Sequence, residues 1–172
     1  MIHLEEITLI EAPIDRCFDL SRSVEVHLLG NIHCDEQALA IAGITSGLPE
    51  LNQQTTWRAK HFASWQNVTT QYTAMHPPTY FQATMIQGIF GSMQANHYFR
   101  TLPSGVTEMK DDFRVAAPIP ILGPLIETLF LRRYMLALLR ERNAVIKQLA
   151  ESNGWRQYLP LHQIHQTGSL TQ

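Results

Sequence analysis

The spacing of apolar and polar positions divides the chain into a strand, two short helices, a long β-rich region and one long helix. Residues 2–11 are strand-like and end near Pro13, a residue that fits the first turn of a helix over residues 14–20. Ser23 is a suitable N-cap for a second short helix, which Gly30 would close. The chain therefore begins with one strand followed by two short helices.

Residues 36–116 carry strand-forming runs separated by proline and glycine turn signals. Beyond them, further prolines and glycines break the pattern, and an apolar stripe predicts a helix from about Leu122 to Ser152. The predicted strands of this region cover residues 36–44, 55–62, 65–76, 79–87, 92–102 and 106–116.

This order of elements predicts an α+β helix-grip fold. A curved antiparallel sheet of about seven strands would wrap around the long C-terminal helix, because the apolar face of a sheet must be covered. A single helix cannot fill the whole concave side, so a pocket is expected between helix and sheet. We assign residues 1–154 to one ligand-binding domain and residues 155–172 to a polar C-terminal tail.

Composition narrows the class of protein. Of the 172 residues, 45% are hydrophobic, enough for a sizeable core, and the net charge of −2 argues against nucleic acid binding. The acidic N-terminus does not resemble a signal peptide, and no apolar run is long enough for an integral membrane protein. Cys17 and Cys34 are too few for a disulfide framework. These features favour a reduced, cytoplasmic domain.

One predicted hairpin places a carboxylate on an apolar strand face. If residues 103–105 form its turn, His97 lies directly opposite Asp111, and Phe99 lies opposite Met109. A buried carboxylate needs a partner, and the imidazole can provide one. The two residues would form either a pair in the cavity wall that contacts a ligand, or a structural pair that satisfies its own hydrogen bonds without ligand contact. We favour the structural pair.

Arg142 is likewise a charged residue at an apolar position, because it falls inside the apolar stripe of the long helix. It either extends to solvent at the edge of the stripe or reaches a carboxylate inside, with Asp111 as one candidate. We favour extension to solvent. Apolar residues on the same inner surfaces are further candidates for the cavity wall, although most such residues are ordinary core. They are Trp57, Phe81, Met85, Phe99, Met109 and Phe113.

A second apolar flank of the helix includes Leu129, which could line the cavity mouth, join a homodimer or touch a membrane surface. No metal is expected, because the histidine groupings lack a second ligand pair at familiar spacing. No nucleotide-binding glycine motif is present, and we expect no cofactor.

Several short motifs resemble the START-like, or SRPBCC, helix-grip superfamily, which includes polyketide cyclases/dehydrases and lipid or coenzyme Q carrier-like proteins. The likeness extends over about residues 3–152 and implies the fold together with a cavity for an apolar or amphipathic molecule. It does not imply a reaction, since members include enzymes, carriers and sensors. The matching segments are residues 10–20, Trp57, residues 76–81, Gly88, residues 97–99, 107–113 and 118–125, and Arg142.

Three hypotheses for function follow. The first is the binding or transport of a hydrophobic small molecule such as a lipid, an isoprenoid or an aromatic polyketide. The second is an enzyme of the polyketide cyclase/dehydrase type, in which His97 oriented by Asp111 serves as general acid and base. The third is a protein-interaction module that uses the apolar helix flank.

Overall fold

The computed structural model describes residues 1–30, 39–61, 64–116 and 124–159. Within these ranges, seven strands form one antiparallel sheet, and the helices are α1 (Ile14–Arg22), α2 (Val24–Leu29) and α3 (Pro124–Glu151). A short 3₁₀ helix follows at Gly154–Gln157. The strands are β1 (Ile2–Ile10), β2 (Leu39–Gly43), β3 (Gln54–His61), β4 (Ser64–His76), β5 (Tyr80–Gln87), β6 (Ser92–Thr101) and β7 (Thr107–Ala116).

The sheet runs in the order β1-β7-β6-β5-β4-β3-β2, so the first strand pairs with the last. The helices α1 and α2 connect the two edge strands, and strands β2 to β7 follow one another as neighbours. Register shifts interrupt the β2–β3 and β4–β5 pairs, and such irregularities increase local bending and twist. The predicted α+β architecture, with two short helices after the first strand and a long terminal helix, is confirmed.

The short helices begin where the sequence indicates. Pro13 immediately precedes α1, and the Ser23 hydroxyl accepts a hydrogen bond from the Val26 amide at 3.4 Å at the start of α2. Gly30 follows α2. The long helix begins at Pro124; the predicted start at Leu122 lies outside the described residues, as does the start of the predicted strand 36–44. None of the helices within the described ranges has both the length and the hydropathy needed to span a bilayer.

Polar contacts fasten α3 to the edge strand β1. Arg140 Nε lies 3.1 Å from a carboxylate oxygen of Glu6, and Asn143 Nδ2 donates to the Thr8 hydroxyl at 3.2 Å. One turn later, Lys147 Nζ donates to a main-chain carbonyl of β1 at 2.5 Å. Residues three to four apart share one side of a helix, so these contacts form a single row. The row fixes α3 against β1 along three successive positions.

The buried apolar residues form two separate clusters. The first gathers α1, the C-terminal half of α3 and the adjacent ends of β5, β6 and β7, and includes Phe18, Phe81, Phe99, Met109 and Ile146. The second gathers the N-terminal half of α3 with the opposite ends of β1 and β7, and includes Leu4, Phe90, Val115, Leu131 and Met135. One helix therefore contributes to both clusters.

The packed structure continues beyond the domain boundary predicted at residue 154. Trp155 and Leu159 belong to the first cluster and are only 7% and 9% exposed. The guanidinium of Arg16 lies 4.5 Å from the centroid of the Trp155 ring. Residues 155–159 are thus part of the core rather than the start of a loose tail, because the indole and the leucine side chain bury against it. The remainder of the predicted tail, residues 160–172, lies outside the described residues.

The close approach of α2 to α3 gives a testable prediction. A Cβ atom added at Gly30 would lie 2.8 Å from Arg142 Cα and 3.0 Å from its Cβ. The φ of −66° at Gly30 suits any residue, so crowding alone opposes a side chain there. We expect Gly30→Ala to lower the free energy of unfolding by about 1–3 kcal/mol in urea titrations. Ser104→Ala, in the exposed β6–β7 turn, is the control; an equal effect of both substitutions would contradict the prediction.

Candidate functional site

A cavity of about 160 Å³ lies between the inner face of the sheet and the helices α2 and α3. Residues from both apolar clusters reach it, including Phe81 from the first and Met135 from the second. The cavity therefore occupies the gap between the clusters. Its further apolar wall residues are Trp57, Val68, Tyr72, Ala83, Phe90, Met93, Ala95, Phe113, Leu138 and Leu139, and its polar ones are His27, Thr70, His97 and Arg142.

The structure brings five of the ten predicted cavity residues to this wall: Trp57, Phe81, His97, Phe113 and Arg142. The other five occupy different places, which corrects the predicted set. They are Met85, Phe99, Met109, Asp111 and Leu129.

Phe99 and Met109 face each other across β6 and β7 as predicted, but α1 covers them. The Phe18 ring meets the Phe99 ring edge-on at a centroid distance of 5.5 Å, and the Ser21 hydroxyl lies 3.2 Å from Met109 Sδ. Both side chains consequently belong to the first apolar cluster. The strand pattern correctly predicted the face of the sheet on which both side chains lie. They are core residues because α1 packs over that part of the face.

Met85 and Leu129 lie elsewhere for other reasons. Met85 packs against the second apolar cluster, and its sulfur is the nearest atom to a Cβ built at Gly88. Leu129, on α3, is 58% exposed, so it belongs to the outer side of the helix. The predicted apolar flank of the helix exists at this residue, but it points away from the cavity.

Asp111 lies behind His97 and forms the centre of a buried hydrogen-bond network. The predicted register is confirmed: His97 pairs with Asp111, and the turn closes with a 2.8 Å hydrogen bond from the Leu102 amide to the Val106 carbonyl. Asp111 Oδ1 is hydrogen-bonded to His97 Nδ1, and its Oδ2 accepts from Asn143 Nδ2 at 2.6 Å. Both carboxylate oxygens are thus satisfied, one from the sheet and one from α3.

The environment keeps the carboxylate charged and the imidazole neutral. Burial raises the pKa of Asp111, but the hydrogen bond from His97, the positive charge of Arg142 and the hydrogen bond from the Asn143 amide together lower it below its usual value. Burial, and then the positive charge of Arg142, lower the pKa of His97 although Asp111 opposes this. A neutral imidazole beside a carboxylate must hold its proton on Nδ1 and donate it to Asp111.

Aromatic rings fix the orientation of this imidazole. The His97 ring stacks on Phe81 at a centroid distance of 4.3 Å, and the Phe113 ring meets it edge-on at 5.6 Å. With Nδ1 committed to Asp111, Nε2 is the nitrogen that remains to accept a hydrogen bond. The pair can therefore present a fixed acceptor at a mainly apolar wall.

Arg142 does not extend to solvent, so the favoured interpretation of this residue is wrong. Its side chain is buried and donates through Nη2 to the main-chain carbonyl of Ser21 at 2.6 Å. The alternative, direct pairing with Asp111, is not found either, because His97 and Asn143 engage the carboxylate. The end of α1 supplies the carbonyl, which no pattern in α3 itself could indicate.

His27 and Asn143 are among the residues of the site that the sequence analysis missed. His27 lines the cavity, with its ring 4.1 Å from that of Trp57, and burial together with the charge of Arg142 lowers its pKa to about 3. Asn143 links α3 to Asp111. The available signal for Asn143 was its spacing: it lies four residues after Leu139 and three before Ile146, on the buried side of the helix.

A surface group on β1 and β7 has the residue types of a metal site. His3, Glu5 and Asp112 place one possible ligand atom each within 4.8 Å of one another. However, Lys110 Nζ lies 2.9 Å from Glu5, and Arg114 Nε lies 3.5 Å from Asp112. These cations already neutralise the two carboxylates, so the group is accounted for as a network of surface ion pairs.

Comparison with known proteins identifies the fold. No protein-family model and no curated relative matches the chain. Among solved structures, a protein from Chromobacterium violaceum has a TM-score of 0.67 at 10% identity, with 87% of this chain and 97% of that chain covered. A START superfamily protein from Mycobacterium smegmatis has a TM-score of 0.64 at 15% identity, covering 86% and 98%. Ara h 8.0201 has a TM-score of 0.58 at 12% identity, covering 84% and 96%.

These similarities extend over most of every chain compared, and they confirm the START-like helix-grip fold predicted from the sequence motifs. At 10–15% identity the comparison reaches no further than the fold. The chemistry of this chain must be argued from its own cavity.

The pKa of His27 predicts how stability depends on pH. Its folded value of about 3 lies below the ordinary value of 6.5. Between these values the unfolded chain binds a proton that the folded chain does not, so acidification lowers the free energy of unfolding. His27→Gln should reduce the slope of this free energy against pH, between pH 6 and 4, by up to about 1.4 kcal/mol per pH unit. Urea unfolding at several pH values measures the slope, and identical slopes for both proteins would contradict the prediction.

Proposed function

We propose that this chain binds or transports a hydrophobic small molecule, which occupies the cavity between the sheet and α3. The observation that carries the proposal is an apolar cavity lined by a few fixed polar groups, the usual composition of small-molecule sites. The cavity lies between two well-packed clusters, so it is a property of the whole fold rather than a local packing defect.

The dimensions and lining of the cavity favour a compact ligand body. A cavity of about 160 Å³ is close to the engineered apolar cavity of roughly 150 Å³ that stays dry and binds benzene. Trp57, Phe81 and Phe113 add aromatic surfaces on which a ring can pack. Among lipids, isoprenoids and aromatic polyketides, we therefore favour a ligand that places one ring, or a similarly compact apolar group, in this space.

The polar groups of the wall would orient the ligand. His97 offers Nε2 as an acceptor because Nδ1 is held by Asp111, and a ligand hydroxyl is the complementary donor. Thr70 lies farther along the wall, but its hydroxyl already accepts a hydrogen bond from the Trp57 indole at 3.0 Å. A ligand hydroxyl near His97 would thus be fixed by a group that the protein holds rigidly.

The same geometry favours one second candidate, an enzyme of the cyclase/dehydrase type. His97 lines the cavity and is oriented by Asp111, which is the arrangement that a general acid and base requires. Under this candidate, the neutral imidazole takes a proton from the substrate through Nε2. If the wild type shows turnover, and if His97→Gln abolishes the turnover but still binds the ligand, the enzyme is favoured over the carrier.

Filling the cavity tests the binding proposal. Ala83 lines the cavity, and Ala83→Leu adds three carbon atoms to the space that the ligand would occupy. We expect the variant to bind toluene or indole at least about tenfold more weakly than the wild type in NMR titrations, a loss of about 1.4 kcal/mol.

Thr84→Leu is the matched control, since Thr84 is the next residue of β5 and faces the other side of the sheet, where its hydroxyl lies 2.9 Å from that of Thr73. It should keep wild-type affinity. If the wild type binds neither probe, or if both variants bind them equally well, the cavity is not a ligand site.

A further inference from the structure

Arg142 is the one charged side chain among the cavity-lining residues that the structure describes. The histidines of the wall are neutral near pH 7, because burial and the charge of Arg142 lower the pKa of His27 and of His97. Asp111 is negative, but it is fully buried behind His97 and does not line the cavity. The cavity therefore presents one positive charge to whatever enters it.

The guanidinium of Arg142 is incompletely paired. It is 92% buried, since only 8% of the residue remains exposed, and a guanidinium carries five N–H donors. Nη2 donates to the Ser21 carbonyl at 2.6 Å, whereas Nε is buried without a hydrogen-bond partner. Within the described residues, Asp111 is the nearby carboxylate, and His97 and Asn143 hold both of its oxygens. A buried cation with unused donors is costly unless a ligand supplies the missing acceptor.

The position of this guanidinium is set by packing. Gly30, at the end of α2, leaves no room behind the Arg142 stem: a Cβ built there would lie 3.0 Å from Arg142 Cβ and 3.3 Å from Cγ. The Ser21 carbonyl holds the other side of the head group. The residue also lines the cavity, so its positive charge lies beside the space that a ligand would occupy.

We propose that the ligand carries a carboxylate, which pairs with Arg142 while its apolar body lies against Phe81, Phe113 and Met135. This inference rests on the proposed binding function and adds the chemical class of the ligand to it. Carboxylate geometry matches the planar donor fork of arginine. Because the buried carboxylate of Asp111 already lies near Arg142, a singly charged ligand group adds less unbalanced negative charge to the site than a doubly charged phosphate would.

A matched pair of probes tests the charge requirement. 4-Ethylbenzoate and 4-ethylbenzamide have nearly the same shape, and both present a carbonyl oxygen, but only the first is an anion. In NMR titrations at pH 7.5, the wild-type protein should bind the benzoate at least about tenfold more tightly, the range expected when a hydrogen bond involves a charged group. The Arg142 Nε–H resonance should shift on addition of the benzoate, and much less with the benzamide.

Two substitutions on α3 assign the preference to one arginine. Arg142→Met removes the buried charge while keeping the length of the side chain. It should bring the two affinities within about threefold of each other by weakening the benzoate alone. Arg140→Met is the matched control, because Arg140 is 61% exposed, pairs with Glu6 and carries the same charge two residues away. It should leave the preference intact.

The outcomes separate the two proposals. Equal wild-type affinities for benzoate and benzamide overturn the carboxylate inference and leave the binding function standing. Absence of binding by both probes, and by toluene and indole, overturns the binding function itself. If Arg142→Met does not fold, the wild-type affinity ratio and the shift of the Arg142 Nε–H resonance still test the carboxylate inference. An unshifted Nε–H resonance in the presence of bound benzoate overturns it.

Discussion

A single buried carboxylate sets the geometry on which the rest of the site depends. Asp111 is inaccessible to solvent, and a charge in that position must be fully hydrogen-bonded to be tolerated. His97 on β6 satisfies one oxygen and Asn143 on α3 satisfies the other. The carboxylate therefore joins the sheet to the helix at one fixed point, and removal of one partner from such a network typically costs roughly 3–5 kcal/mol.

The cavity follows from the way the helix is held at that point. Along β1, α3 is fixed by polar side chains such as Arg140 and Asn143, and its two halves pack into two different apolar clusters. A single helix against a bent sheet leaves space between these clusters. Arg142 and His97 line the space, where the end of α1 holds the first and Asp111 holds the second. Structural support and the proposed ligand recognition thus use the same residues.

Some parts of this arrangement were predictable, because they depend on neighbouring residues in the sequence or on strand register. The turn at residues 103–105 and the alternation of the two flanking strands are enough to place His97 against Asp111. The strand and helix order, together with short motifs, predicts the helix-grip fold, which the structural comparisons confirm. Five of the ten predicted cavity residues, Phe113 among them, do line the cavity.

The remaining parts depend on how the helices are oriented, which no local pattern specifies. Phe99 is on the predicted face but is sealed by α1, and Arg142 is buried because a carbonyl at the end of α1 meets it. Asn143 carries the decisive contact to Asp111, yet in sequence it is an ordinary polar residue next to an arginine. Such contacts join residues more than thirty positions apart, and only the packed structure brings them together.

The protonation state of His97 tests the central claim most directly. In ¹⁵N NMR spectra of the imidazole at pH 7, the account predicts a neutral ring with the proton on Nδ1, donated to Asp111, and a bare Nε2 that faces the ligand. A doubly protonated ring, or a neutral ring with its proton on Nε2, would contradict it, because neither species leaves an acceptor at the cavity wall.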